Sequence, residues 1–202
     1  MGKQLVISIS REYGSGGHEI AVDLAKVLGL NLYDRNLLDE VVKSKNFKEN
    51  NLAKYDEVPK RFGVSKTVRG FSNSPQEIVA EMQFEYMREK VKSKESFVIV
   101  GRCSEEKLKD VINEDCEFIP IFIRADMQER IARIMRLYNL NSSQATEKIK
   151  RHDKNRKNYH NYFCNTKWGD ARNYDLTINS APLGVEKTVK IINDYVNERM
   201  SK

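Results

Sequence analysis

The chain alternates short apolar runs with stretches in which apolar residues recur every three or four positions. Residues 4–10 (QLVISIS) form a β-rich run that the turn residues after Arg11 bring to an end. Residues 17–29 carry Ile20, Leu24, Val27 and Leu28 at helical spacing and stop at Gly29, a residue suited to ending helices. A second short strand is expected over 30–33 (LNLY) and an amphipathic helix over 35–45. Residues 97–101 (FVIVG) and 118–123 (FIPIFI) read as compact buried strands. Pro120, which lacks an N–H for the ladder, points to an edge or a bulge for the second of them. A helix of roughly ten residues is expected between these strands, as a parallel crossover requires. A fifth strand follows over 174–179 (YDLTIN), then a last helix with a core stripe of Val185, Val189, Ile192 and Val196.

This order predicts an α/β layer fold around a mainly parallel, five-stranded sheet. Residues 46–94 interrupt it with a charged, mostly helical stretch punctuated by Pro59, Gly63, Gly70 and Pro75. Its best helix is 75–93, with Ser74 before it, Pro75 at the first helical position and Glu77 in the first turn. With no repeat or linker composition, 202 residues read as one domain carrying a helical insertion.

Composition changes this picture little: 40% hydrophobic and 32% charged residues describe an ordinary globular chain. No signal-peptide pattern or membrane-length apolar stretch is visible. Cys103, Cys116 and Cys164 are odd in number and widely spaced, which suggests neither a disulfide framework nor a zinc site, and a reducing cytoplasm is the expected compartment. The net charge of +6 favours an anionic partner without choosing among nucleic acid, nucleotide and phosphorylated metabolite. Its placement says more. Lys148–Lys157 (KIKRHDKNRK) sets six lysines and arginines against Asp153 alone, and Arg124, Arg130, Arg133 and Arg136 precede it.

The candidate chemistry begins where the first strand meets the first helix, at Arg11-Glu12-Tyr13-Gly14-Ser15-Gly16-Gly17-His18-Glu19. Glycines there let backbone N–H groups approach phosphate oxygens, and the helix N-terminus adds a favourable dipole. In the common phosphate-binding loop a lysine and then a serine or threonine follow the last glycine. Here His18 stands at the lysine position and Glu19 at the hydroxyl position. Three readings stay open: His18 serves as a cation, a lysine or arginine from elsewhere reaches in, or nucleotide binds without efficient transfer. Glu19 repels phosphate unless it points away or coordinates magnesium.

The stretches ISREYGSGG, LYDRNLL (Leu32–Leu38), IVGRC (Ile99–Cys103) and DARNYDLTINSAPLG (Asp170–Gly184) resemble the cytidylate-kinase-like proteins, divergent relatives of the P-loop nucleoside monophosphate kinases. The resemblance covers nearly the whole chain. It implies a three-layer P-loop kinase fold, ATP and magnesium as cofactors, and CMP as acceptor. It further implies that 46–94 is the acceptor-binding insertion and about 140–172 a basic lid closing over the phosphates.

Phosphoryl transfer asks for positioned arginines, because a guanidinium forks onto phosphate oxygens and stays charged. Arg102, after Gly101, sits where an open α/β sheet binds ligands, and the resemblance aligns it with an arginine that contacts the monophosphate. Asp34 and Arg35 end the second strand on the same rim, and Arg11 ends the first. Lys150, Lys154 and Lys157 recur at helical spacing, a repulsion that a bound anion would offset. Arg156, with Asp153 one turn before it to orient it, is the first candidate for the transition-state arginine, and Arg151 the second. Arg133 and Lys150 are candidates to face phosphate; Ile131, Ile134 and Met135 are the expected buried stripe of their helix. His152 and His160 are read as surface residues, and Tyr159, Tyr162 and Trp168 as packing at the lid base.

The leading expectation is an ATP-dependent kinase of a nucleoside monophosphate. A nucleotide-binding regulator without turnover is the alternative from another class. A nucleic-acid binder ranks last, since no recognised nucleic-acid module is present.

Overall fold

The computed structural model describes residues 3–34 and 75–201. Five strands, β1 (Gln4–Arg11), β2 (Asn31–Tyr33), β3 (Phe97–Val100), β4 (Cys116–Arg124) and β5 (Leu176–Asn179), form one sheet in the order β2-β3-β1-β4-β5. Every pairing is parallel. The described helices are α1 (Gly17–Leu28), α2 (Pro75–Lys92), α3 (Ser104–Lys107), α4 (Met127–Tyr138), α5 (Ser142–Phe163) and α6 (Gly184–Met200).

The period of two along β1 divides the core into two layers. Leu5, Ile7 and Ile9 join Val98, Val100, Ile119, Ile121 and Ile123 on one face, under Ile20 and Leu24 of α1 and Val189, Ile192 and Val196 of α6. Val6, Phe97 and Ile99 face the other way, against Ala80, Phe84, Met87 and Val91 of α2. Those four α2 residues lie at helical spacing, so the helix packs along one stripe. The result is the α/β layer fold the alternation predicts, with the three layers that the resemblance implies.

Most element bounds agree with expectation to within two residues, and the differences have physical causes. Pro120 lies in an internal strand, since β4 pairs with β1 on one side and β5 on the other. Its carbonyl accepts from Asp175 N–H at 2.8 Å, on the β5 side. N and O of one strand residue point the same way, so the missing N–H falls just ahead of the first residue of β5 and the β1 ladder stays whole. The crossover after β3 is a four-residue helix rather than about ten. Asn113 ends it: its side chain accepts from Asp115 N–H at 3.1 Å and its carbonyl from Cys116 N–H at 3.0 Å, turning the chain into β4. The helix expected over 35–45, and the part of the expected insertion before Pro75, lie outside the described residues. No described helix is long and apolar enough to cross a membrane.

Candidate active site

β1 delivers the glycine loop to the carboxyl edge of the sheet, and the loop is braced from within. Ser15 is buried; its hydroxyl donates to the Glu12 carbonyl at 2.9 Å and accepts from Gly17 N–H at 3.3 Å. Ser180, beyond β5, donates to the Ser15 carbonyl at 2.7 Å. Ser15 is therefore an internal brace of the loop. Gly16 caps α1 with a left-handed backbone (φ +78°), which a side chain would strain. Gly17 has ordinary dihedrals, yet a Cβ on it would lie 2.6 Å from Cβ of Arg11. The first helical bond runs from Ile20 N–H to the Gly16 carbonyl, so the N–H groups of His18 and Glu19 stay outside the helical ladder.

A cleft of about 330 Å³ opens over this loop, with Arg133, Ile134, Leu137 and Tyr138 of α4 and Arg156 of α5 on its other walls. α4 presses directly on the loop: a Cβ on Gly14 would meet Ile134 at 3.2 Å, and one on Gly16 would meet the Arg133 guanidinium at 3.2 Å. The Arg133 guanidinium pairs with Glu19 across the loop mouth. His18, at the lysine position, turns to Asp34 at 3.0 Å instead. An arginine from the cleft wall, Arg133, thus lies against Gly16.

Arg156 is half-buried; one Nη donates to the Arg11 carbonyl at 2.9 Å and the guanidinium lies 5.4 Å from the centre of the Tyr13 ring. Burial pulls it down to about 10, with Asp153 opposing, so it remains cationic near neutral pH. Arg11 donates to the Gly101 carbonyl at 2.9 Å, tying the loop to the segment of Arg102, whose guanidinium sits 3.8 Å from the Tyr159 ring centre. The charges of Arg102 and Arg130 add to the effect of burial and lower Arg156 further.

Asp153, expected from sequence to orient Arg156, places its carboxylate oxygens elsewhere. One accepts from Tyr13 N–H at 2.8 Å and the other pairs with Arg130. Arg130 is 4% exposed, donates Nε to the Tyr13 carbonyl at 2.8 Å and lies 3.3 Å from Glu12. It is a clamp joining the loop, α4 and α5, and sequence reasoning missed it. The available signal was its position four residues before Ile134, inside the buried stripe of α4.

Two further expectations are corrected. His160 is fully buried, with Nε2 bonded to Glu105 at 2.8 Å. His152 is half-buried and stacks on Tyr13 at 4.1 Å between ring centres. Lys150 and Arg151 are exposed and do not line the cleft. Trp168 and Tyr159 do pack, against Phe122 and Phe163. Arg35 lies outside the described residues.

Residues 6–182 match the sequence profile of the cytidylate kinase-like family. The chain belongs to that family. No curated protein matches it. An uncharacterized protein from Eubacterium ventriosum, known from its crystal structure, is 34% identical over 96% of this chain and 99% of its own, with a TM-score of 0.74. Shikimate kinase from Bacteroides thetaiotaomicron is similar in fold alone, at 13% identity and a TM-score of 0.54 over 96% of this chain and 98% of its own. Family and fold together support a phosphotransferase that binds nucleotide.

Proposed function

We propose that this protein transfers the γ-phosphoryl group of ATP to a small phosphate-bearing acceptor, with CMP as the first candidate through the family. The observation that carries the reading is the Arg133 guanidinium seated over Gly16 at the N-terminus of α1, in a cleft that also holds Arg11 and Arg156. A glycine loop that a Cβ would block, with helix N–H groups outside the ladder, fits a polyphosphate. Magnesium fits as an ion carried mainly by phosphate oxygens and water, with Glu19 the loop carboxylate that would hold it. When bound, ATP would supply the transferred group and magnesium would offset the negative charge of its phosphates.

The protein's own part is binding and charge placement. The loop N–H groups take the phosphate chain, and Arg133 exchanges Glu19 for phosphate oxygens, supplying the charge that His18 does not. Arg156, fixed by the Arg11 carbonyl and Tyr13, stabilises charge developing on the transferred group. Arg11, Asp34 and Arg102 line the acceptor side, and Asp34 holds His18 out of the phosphate path. Arg130 and Asp153 keep α5 on the loop, so that Arg156 is placed before substrate arrives.

The test is purified protein with ATP, magnesium and each nucleoside monophosphate, assayed for ADP and nucleoside diphosphate. Turnover of one acceptor is expected, with Arg156→Ala and Arg133→Ala each lowering kcat/KM by about 100-fold or more. A second reading, nucleotide binding without turnover, draws on the engagement of His18 with Asp34. It prevails if ATP raises the melting temperature and no acceptor is phosphorylated.

A further inference from the structure

Glu105, in the first turn of α3, is 1% exposed and has no role in the function proposed above. Its carboxylate collects donors from three other segments. His160 Nε2 of α5 donates to Oε1 at 2.8 Å, and the Tyr174 hydroxyl, just ahead of β5, donates to the same oxygen at 3.1 Å. The Ser10 hydroxyl of β1 donates to Oε2 at 3.2 Å. His160 depends on this contact: its Nδ1 is buried without a hydrogen-bond partner among the described residues, so the bond to Glu105 orients the ring. A second buried pair, Ser8 with Ser104 at 2.7 Å between hydroxyls, also joins β1 to α3.

These polar side chains interrupt the pattern of the strand. Val6, Ser8 and Ser10 share one face of β1, and both serines are buried. A fold alone gains little from such a cluster, because well-packed apolar residues often replace a buried ionic group without loss. Its neighbours along the chain supply a reason for it. Ser10 precedes Arg11, Glu105 follows the turn of Arg102, and His160 lies one helical turn after Arg156. The same arginines are linked to one another. Arg156 donates to the Arg11 carbonyl and Arg11 to the Gly101 carbonyl, each at 2.9 Å. The Arg102 guanidinium lies 3.8 Å from the ring centre of Tyr159, the residue before His160. A Cβ on Gly101 would lie 2.5 Å from Ser104 Oγ, so the turn that carries Arg102 is pressed onto α3.

We propose that Glu105 is a positioning residue of the candidate active site: by holding Ser10, His160 and Tyr174 on one buried carboxylate, it sets the spacing of Arg11, Arg102 and Arg156. The consequence for catalysis rests on the phosphotransferase reading; the positioning does not. Glu105 itself touches no substrate. Its effect passes through the arginines, and a displacement of about 1 Å in such groups costs about 100-fold in rate. The glycine loop is held by other contacts, from Arg130, Ser15 and Ser180, so ATP binding is independent of Glu105. Glu106 provides the control. It also ties α3 to the end of α5, accepting from Asn165 N–H at 2.7 Å and Thr166 N–H at 3.1 Å, but these partners lie past the helix rather than beside an arginine.

The test follows the arginine Nε–H signals of the isotope-labelled full chain by NMR relaxation, alongside kinetics with the acceptor that the wild type phosphorylates. Arg102 and Arg156 should be rigid in the wild type and mobile in Glu105→Gln, while Arg130 stays rigid in both. In that variant kcat should fall about 10- to 100-fold with KM for ATP unchanged. Glu106→Gln should melt lower than the wild type yet keep kcat and both rigid signals. Rigid Arg102 and Arg156 in Glu105→Gln overturn the proposal, as does a loss of kcat no larger than that of Glu106→Gln. If the wild type phosphorylates no acceptor, the functional reading fails and the NMR comparison alone decides the positioning. Tyr174→Phe, which removes one donor from the carboxylate, is read in the same way should Glu105→Gln not fold.

Discussion

Arg130 shows how much one buried charge can organise. Its guanidinium reaches Glu12, the Tyr13 carbonyl and Asp153 at once, from a side chain 4% exposed. Only a planar fork with several donors can meet three acceptors in different directions. Truncation would leave the Asp153 and Glu12 carboxylates facing each other without a cation, and breaking a buried pair in this way costs about 3–5 kcal/mol. Arg130→Ala should therefore lower the melting temperature by about 6–20 °C, given a chain of this size. Arg130→Lys should lose less stability, because charge is kept, but should still weaken ATP binding, because the Tyr13 carbonyl loses its donor. Thermal melts with and without ATP separate the two effects. Equal ATP affinity in wild type and Arg130→Lys would show that the clamp supports the fold alone.

At the scale of elements, α5 is where sequence and structure part most instructively. Ala145, Ile149, Asp153, Arg156 and His160 recur at steps of three and four, so they lie on one face. The face starts apolar, with Ala145 and Ile149 fully buried, and turns polar towards its C-terminal end, where His160 is equally buried. Hydrophobicity alone marks no buried face in the polar half, and the family resemblance makes it part of a basic lid over the phosphates. The partners that reverse this are long-range: the loop N–H for Asp153, the Arg11 carbonyl for Arg156, Glu105 for His160. β1, β3 and the helices α1 and α6 were legible because burial of apolar residues at a regular period decides them. The glycine loop was legible too, as was the convergence of Arg133 and Arg156 on it. Who pairs with whom was not, since ion pairs between elements leave no period in the chain. With its polar face docked at three points, α5 should behave as a fixed wall. Hydrogen exchange should find the amides from Asp153 to Cys164 protected to nearly the extent of β1, and Glu105→Gln should speed those amides while sparing α1. Rapid exchange across 153–164 in the wild-type protein would instead show an open lid.

Over the whole molecule, the buried charges set opposite pH limits. Around His160 stand Glu105 and Glu106, Cys103 and Cys164, and the Tyr174 hydroxyl, 3.1 Å from Glu105. Burial opposes the imidazolium, but the neighbouring Cys164 and the hydrogen bond that Nε2 donates to the Glu105 carboxylate outweigh it and hold His160 at about 10 instead of 6.5. A group raised on folding contributes fully below its unfolded value and loses its contribution as pH climbs towards its folded one. The His160 contribution is therefore complete below about 6.5 and drains away up to about 10. Glu106 and Glu117 act in the other direction. Both are lowered despite burial, Glu106 by Thr166 and Asn165 and Glu117 by Lys3 and Arg199. Their contributions are present above the ordinary carboxylate value of 4.5 and are lost as pH falls through the depressed ones. Stability should peak between about pH 5 and 6.5 and decline steadily on the alkaline side. The decisive comparison is His160→Gln, which keeps a donor for Glu105 but carries no titrating charge. Its melting temperature should be lower than wild type at pH 6, and the gap should narrow by pH 10. A gap that stays constant across that range would mean that His160 holds α5 by shape rather than by charge.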